Sequence, residues 1–494
     1  MSHYLSKKMV LSTVTACCFT LAGCASAPQP TASPANTTNA NTVGAEGIAF
    51  KQNDGFQLPA YQKQVLDNGL TLYLLPQHEV PLLSIEVLVG AGAVQDQQGG
   101  EAFLTSQSLL LGAGGKSKQQ LEQQTDFIGA SLVTSNDKEA SYLNMTFMQK
   151  DTAAMLDLLA AVLRQPEFNP EEFTKLHARL VAQQQQAKES PRNVISRYFD
   201  SLLYGNHPYA KPTTGTEQSL AALNLADVSH FYQRHYQPDN IAIAVAGDFD
   251  IAELSAMLAG RFASWHGASV STSELREVSK PATARVLLVD KPDATETTLM
   301  IGGVGVSQNN PDYVGLEVVN TILGGRFTSW LNDELRVNSG LTYGARSGFS
   351  SLSAGGAFQI STFTKTETTR QTIELALATY RRLWQQGIDQ ATLDSAKAYV
   401  KGQFPPNYET NNQLADLLVS MHLHQLDNGF INNFEHKVDS LTLADTERLI
   451  NQYFPQQQLQ FVLIGKASEL NELAQSLGEV STVAITDNGF SSNE

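Results

Sequence analysis

The chain has 494 residues, with 33 lysines and arginines against 49 aspartates and glutamates, a formal charge of −16, and 3 cysteines beside 35 glycines and 18 prolines. That balance excludes a collagen, a disulfide-stapled mini-domain and a basic nucleic-acid binder. With 42% apolar residues the chain is a large acidic globular protein able to bury more than one core, and no nucleic-acid partner is expected.

The first predicted element is a targeting segment, residues 1–23. Lys7 and Lys8 precede an apolar run from Met9 to Leu21, which is too short for a membrane-spanning helix of about 20 residues. Leu21-Ala22-Gly23-Cys24 then resembles a bacterial lipoprotein box, with Cys24 as the lipidated residue of the mature protein. With Ala25 and Ser26 following, that resemblance implies a periplasmic protein held at the outer membrane, its membrane contact resting on acyl chains rather than on a basic surface. Cys17, Cys18 and Cys24 are the only cysteines, so the folded body has no thiol for a disulfide, a zinc–thiolate site or a nucleophile.

Residues 24–60 are rich in Pro, Thr, Asn and Ala without helical or strand periodicity, which predicts a flexible tether. A first domain is expected over 61–265. It opens with two strands flanking Asn68-Gly69 and continues through strand-like runs around Leu83–Gly90, Ser131–Ser135 and Tyr142–Met148. Helical patterns cover Thr152 to Arg164 and Pro170 to Gln186. Gly112-Ala113-Gly114-Gly115 does not show the Walker order of a phosphate loop with Lys-Ser/Thr at the right distance and reads as a turn, and His207, between Asn206 and Pro208, as a structural residue. Residues 266–283 have few large apolar side chains and read as a linker. A second domain follows over 284–480, with a helix over Thr368 to Gln386 and a tail over 481–494. His422 and His424, two apart, make a poor chelate on either a strand or a helix.

Leu225-Ala226-Asp227, Tyr236 and Gly247 recur as Leu443-Ala444-Asp445, Phe454 and Gly465 without a gap, each copy a helix running into a strand. The expected fold is therefore α+β: two homologous domains, each with a mostly antiparallel or mixed sheet covered by helices on one face.

These residues resemble the pitrilysin/insulinase family of zinc metallopeptidases, in its half-size, two-domain form. The resemblance rests on Asn68-Gly69-Leu70, on Tyr204-Gly205-Asn206-His207-Pro208-Tyr209 with Gly215-Thr216, and on Tyr236-Gln237-Pro238-Asp239-Asn240 leading to Gly247-Asp248. In the second half it rests on Leu323-Gly324-Gly325 and on Glu334-Leu335-Arg336 through Gly340-Leu341-Thr342-Tyr343. Active members carry H-x-x-E-H on a first-domain helix, whose two histidines share a face and grip zinc while the glutamate serves as base. Here Phe103 and Gln107 stand at the histidine positions and Ser106 at the glutamate position. A one-residue shift gives Ala102, Thr105 and Ser106. No two of the 10 histidines are four apart, and Ala182-Gln183-Gln184-Gln185-Gln186 stands where a downstream carboxylate ligand would fall. No metal site is expected in this chain.

The resemblance also implies an Arg and a Tyr seven apart in the second domain that reach the substrate, and Arg336 and Tyr343 keep that spacing. In the family's two-chain enzymes one subunit bears zinc and the other supplies this pair. The chain resembles the second kind, with zinc expected in the partner and a peptide as substrate. The implied peptide-binding edge falls on Ser131, Leu132, Val133 and Thr134. Two rivals stay open: a catalytically inactive peptide-binding or scaffold lipoprotein of the envelope, and a self-sufficient metallopeptidase with an unusual ligand set.

Overall fold

Strand alternation in the first half assembles one six-stranded sheet, seen in a computed structural model that describes residues 55–270 and 275–491. The targeting segment 1–23, Cys24 and most of the 24–60 tether lie outside the described residues. The strands are β1 (Gln62–Val65), β2 (Thr71–Pro76), β3 (Leu82–Val89), β6 (Ser131–Asn136), β7 (Ser141–Met148) and β8 (Ile241–Gly247). A separate small hairpin pairs β4 (Gly112–Ala113) with β5 (Lys116–Ser117), so Gly114-Gly115 is a turn. The sheet order is β1-β2-β8-β3-β7-β6, antiparallel except for β2 beside β8. Gly69, at φ +91°, turns β1 into β2, while the Asn68 amide donates to the carbonyls of Phe262 and Trp265 (2.8 and 2.9 Å) and ties the turn to the end of helix Ile251–Phe262.

The second sheet holds β9 (Arg285–Asp290), β10 (Glu296–Val304), β11 (Ala345–Leu352), β12 (Gly355–Lys365), β13 (Gln460–Gly465) and β14 (Glu479–Ala484). Its order from the far edge, β14-β9-β13-β10-β12-β11, matches the first sheet strand for strand. The repeat read from the sequence is thus a repeat of topology. Helices Leu225–His235 and Leu443–Tyr453 both open on capping boxes, Asn224 with Asp227 and Thr442 with Asp445, and both feed the equivalent strands β8 and β13. Only the outermost strand differs in origin: β1 is antiparallel to β2, whereas β14 lies parallel to β9.

Each sheet is covered on one face by helices of its own half, as expected, and on its other face by a helix from the opposite half. Along β8, Ile241, Ile243 and Val245 point into the first half's own core with Met155, Leu159 and Leu258, while Ala242, Ala244 and Ala246 point the other way. Those alanines let helix Asn411–Leu423 of the second half lie close, through Leu414, Ala415 and Leu418. The exchange is reciprocal. Helix Pro191–Tyr204 of the first half lays Val194, Ile195, Tyr198 and Phe199 on Leu287, Val289, Met300, Val462 and Ile464 of the second sheet. A wholly apolar strand face does not reveal which part of the chain will cover it, which is why the sequence did not show the exchange.

The tether, the tail and the linker are each in part fastened. Before residue 60, the Phe56 amide donates to Glu435 (2.8 Å) and the Leu58 amide to Asn432 (2.9 Å). After residue 480 the chain completes β14, and Ile485 and Phe490 are buried, Phe490 against Tyr198 of the first half. In the linker, the Val278 amide donates to the Ala354 carbonyl (3.1 Å). No helix among the described residues is long and apolar enough to cross a membrane.

Glu86 on β3 faces the incoming helix, where Asn144 donates to its carboxylate (2.7 Å) and Asp416 stands nearby. Burial, and secondarily the Asp416 charge, push its pKa up from 4.5 to about 8. The folded chain therefore holds a proton that the unfolded chain releases. That contribution to stability is complete at low pH and is lost as pH rises from about 4.5 to about 8. His235, pushed down from 6.5 to about 4 by burial, acts in the opposite sense, but only below its unfolded value. Between pH 6.5 and 8 the wild-type stability should fall with a Glu86 contribution of up to about 1.4 kcal/mol per pH unit. Glu86→Gln should flatten that slope in denaturant titrations, and an unchanged slope would show that Glu86 is ionised in the fold.

Candidate functional site

Helix Glu101–Ser108 occupies the place that the resemblance gives to the family's zinc helix. Gly100, at φ +98°, leads into it, and the buried Asp96 carboxylate accepts from the Gly100 and Ala102 amides (2.7 and 2.8 Å), holding its first turn. Burial outweighs these bonds and raises the Asp96 pKa to about 7. Phe103 joins the apolar cluster of Leu104, Phe173, Leu176 and Leu180. The Ser106 hydroxyl donates to the Phe103 carbonyl (2.9 Å), and the Gln107 amide donates to the carbonyl and hydroxyl of Thr134 (3.2 Å each). In the shifted register, Ala102, Thr105 and Ser106 are fully buried. Gln183 is exposed on helix Pro170–Ala187, and its neighbour Gln184 accepts from Arg197 (2.6 Å). Among the described residues no three His, Cys, Asp or Glu side chains are grouped to hold a metal ion. An apolar ring, a self-bonded hydroxyl and a neutral amide do not fit zinc.

Ser131, Leu132, Val133 and Thr134 lie on β6, the last strand of the first sheet. Val133 is solvent-exposed. Gln107 already occupies the Thr134 carbonyl, so the residue at the second histidine position is spent on this strand.

Arg336 and Tyr343 come from one tightly pinned segment. Leu335 is fully buried, and its carbonyl accepts from the amides of Leu341 (2.9 Å) and Thr342 (3.3 Å). Gly340, at φ +65°, makes the reversal, and the hydroxyls of Thr362 and Thr364 donate to the carbonyls of Gly344 (2.9 Å) and Leu341 (2.7 Å). The segment is thus anchored by its backbone and by Leu335, which leaves the Arg336 and Tyr343 side chains out of the core. Tyr343 is 84% exposed and its ring stacks on Phe363, centroids 6.4 Å apart. The Arg336 guanidinium lies 4.6 Å over the Phe327 ring. Among the described residues, no hydrogen bond or ion pair engages either the Tyr343 hydroxyl or the Arg336 guanidinium. Glu334, next to the buried Leu335, instead pairs with Arg382 (3.3 Å). At 84% exposure Tyr343 is not a strand residue packed in the core. Phe327, Phe363 and Arg192, which stacks 3.4 Å from the Phe363 centroid, were missed by sequence reasoning. They carry no motif, and Arg192 approaches from the other half of the chain.

His207, His422 and His424 are each bonded within the fold. His207 bonds the Arg276 carbonyl (2.8 Å) and the Tyr209 amide (3.1 Å). The Tyr209 hydroxyl donates to Glu139 (2.6 Å) and accepts from the Ala354 amide (2.9 Å), joining the two halves. His422 contacts the Tyr73 hydroxyl (3.1 Å), and His424 the Ser353 hydroxyl (3.1 Å). The adjacent groove, about 1000 Å³, is lined by Lys211, Arg285 and Asn488, all committed to protein partners: Lys211 to the Asp96 carbonyl, Arg285 to that of Leu202, Asn488 to Gln218.

Comparison with known proteins gives two family matches: residues 74–217 match the insulinase (peptidase family M16) model, and 222–400 match the peptidase M16 inactive domain. The chain is 24% identical over 353 residues to an uncharacterized zinc protease, YmxG, of Bacillus subtilis, covering 71% of this chain and 85% of that protein. It is 23% identical over 417 residues to the zinc protease PqqE of Helicobacter pylori, covering 81% and 92%. Among solved structures, a peptidase M16 inactive domain from Pseudomonas fluorescens superposes with a TM-score of 0.78 at 25% identity, covering 82% of this chain and 98% of that one. A protease from Helicobacter pylori superposes with a TM-score of 0.76 at 20% identity, covering 83% and 100%.

Proposed function

Since the chain belongs to the insulinase (M16) family of peptidases, as a half-size member with two α+β halves, we propose that it is the non-zinc subunit of a heteromeric peptidase. It supplies Arg336 and Tyr343 to the zinc site of a partner subunit of the same family. One observation carries this reading: the two polar side chains the chemistry needs keep their polar groups unspent, while the positions that would bind zinc are filled by Phe103 and Gln107 and that of the base by Ser106. A tyrosine hydroxyl donates a hydrogen bond to the oxyanion that develops when a peptide carbonyl is attacked. A guanidinium beside it holds a substrate carbonyl in register. Neither group generates a nucleophile, so hydrolysis needs the partner.

Support for a periplasmic, lipid-anchored location comes from Lys7, Lys8, the Met9 to Leu21 run and Leu21-Ala22-Gly23-Cys24. A second reading, an inactive peptide-binding or scaffold lipoprotein, is favoured by the sheet edge at β6, which could bind a peptide without cleaving it.

The deciding experiment mixes the purified chain with a zinc-bearing family chain from the same genome and follows a quenched fluorescent peptide. Turnover is expected in the mixture alone and should be abolished by a zinc chelator, and elemental analysis of the isolated chain should find no stoichiometric zinc. Chelator-sensitive turnover by the isolated chain would refute the proposal. Peptide binding without turnover in any mixture would favour the scaffold.

A further inference from the structure

The exposed Tyr343 and the half-buried Arg336 of the second half are each seated on an aromatic ring, and one of those rings is clamped from the first half. Phe327 is 65% exposed, and the Arg336 guanidinium lies 4.6 Å from its centroid. Phe363, on β12, stacks on Tyr343 with an interplanar angle of 27°. On Phe363 also lies the guanidinium of Arg192, 3.4 Å from the ring centroid, reaching over from the start of helix Pro191–Tyr204 and ion-paired to Glu296 (3.0 Å). A phenylalanine with 65% of its surface in water is poorly explained by core packing, since its apolar area is left unburied. A guanidinium over its face explains it better, because a ring holds a cation in place without consuming its N–H donors. A carboxylate partner would have fixed Arg336 more firmly, but would have taken up the donors a substrate carbonyl needs.

We infer that Phe327 and Arg192 are positioning residues for the Arg336/Tyr343 pair: Phe327 seats the Arg336 guanidinium, and Arg192 holds Phe363 against Tyr343. The first half, which groups no zinc-binding side chains among its described residues, thereby still contributes to the reactive geometry through the helix it lends to the second sheet. The inference rests on the proposed use of Arg336 and Tyr343 in trans.

The test combines a structural and a kinetic readout on the full chain. In the isolated chain, NMR of the Arg336 side chain should show the upfield ring-current shift of protons lying over an aromatic face. Phe327→Leu should remove it and Phe327→Tyr should keep it, with thermal melting used to show that both variants are folded. In the complex reconstituted with the zinc-bearing chain, Phe327→Leu should lower kcat about tenfold with KM changed less than about twofold, as expected for a misplaced transition-state contact. Phe327→Tyr should restore it, and Arg192→Gln should lower kcat in the same way, with partial rescue by Arg192→Lys. Ring-current shifts that survive Phe327→Leu overturn the inference. So does an unchanged kcat in Phe327→Leu and Arg192→Gln within a complex that Arg336→Ala silences, an outcome that leaves the proposed function standing. If Arg336→Ala and Tyr343→Phe leave turnover intact, the proposed function is what has failed, and the positioning role falls with it.

Discussion

Tyr343→Phe is expected to lower kcat of the reconstituted peptidase by about 10²–10³-fold, the usual cost of deleting one hydrogen-bond donor to a developing oxyanion. The ring and its stack on Phe363 remain, so only the hydroxyl is tested. Because Tyr343 is 84% exposed and its hydroxyl bonds nothing among the described residues, thermal stability should stay within about 0.5 kcal/mol of wild type. KM should move little, since the bond forms chiefly in the transition state. Arg336→Ala should also silence the complex, with part of its effect in KM, because a guanidinium that aligns the substrate carbonyl binds the ground state too. Steady-state kinetics on one peptide, with the partner in excess, separates the two. Full activity in both variants would leave the chain as a peptide-binding module.

Phe199→Ala is expected to cost about 3–5 kcal/mol of folding free energy, the largest single-residue effect foreseen on stability. Phe199 is fully buried, yet it belongs to the first half and packs into the second, among Met300, Val462 and Ile464. Gly302 on β10 makes room for its ring: a Cβ there would stand 3.0 Å from the Phe199 Cζ. A backbone that close cannot collapse into the hole left by truncation, which places the cost toward the upper end of the range. Because each half lends a helix to the other's sheet, residues 55–491 should unfold in one cooperative transition. Chemical denaturation followed by both tryptophan fluorescence and circular dichroism checks this: non-coincident curves for wild type would show that the lent helices do not couple the halves.

Much of the architecture was legible because it is written locally. Period-two alternation marks the strands, and in β8 the Ile/Ala alternation even separates the two faces, although it does not say what the alanines receive. The repeat of Leu-Ala-Asp helix starts survives because a capping box is a four-residue device. The boundaries were less legible. The segment after residue 480 looked like a tail, yet Ile485 and Phe490 are buried, since a few apolar side chains need only a ready-made groove to be ordered. At the candidate site, the family pattern drew attention to Arg336 and Tyr343, while Phe327 and Arg192 carry no pattern that could have singled them out.

By itself, the sequence determined what chemistry this chain lacks. No two histidines stand four apart and no cysteine lies beyond Cys24, so neither a helical zinc motif nor thiol catalysis is available whatever the fold. Only the tertiary structure decided that Tyr343 faces water, that Gln107 is tied to β6, and that Arg192 reaches Phe363 from the other half. The reason is physical: composition and short spacings are properties of the chain, whereas exposure and stacking are set by which distant faces meet to bury apolar area, and neither sheet names its covering helix in advance.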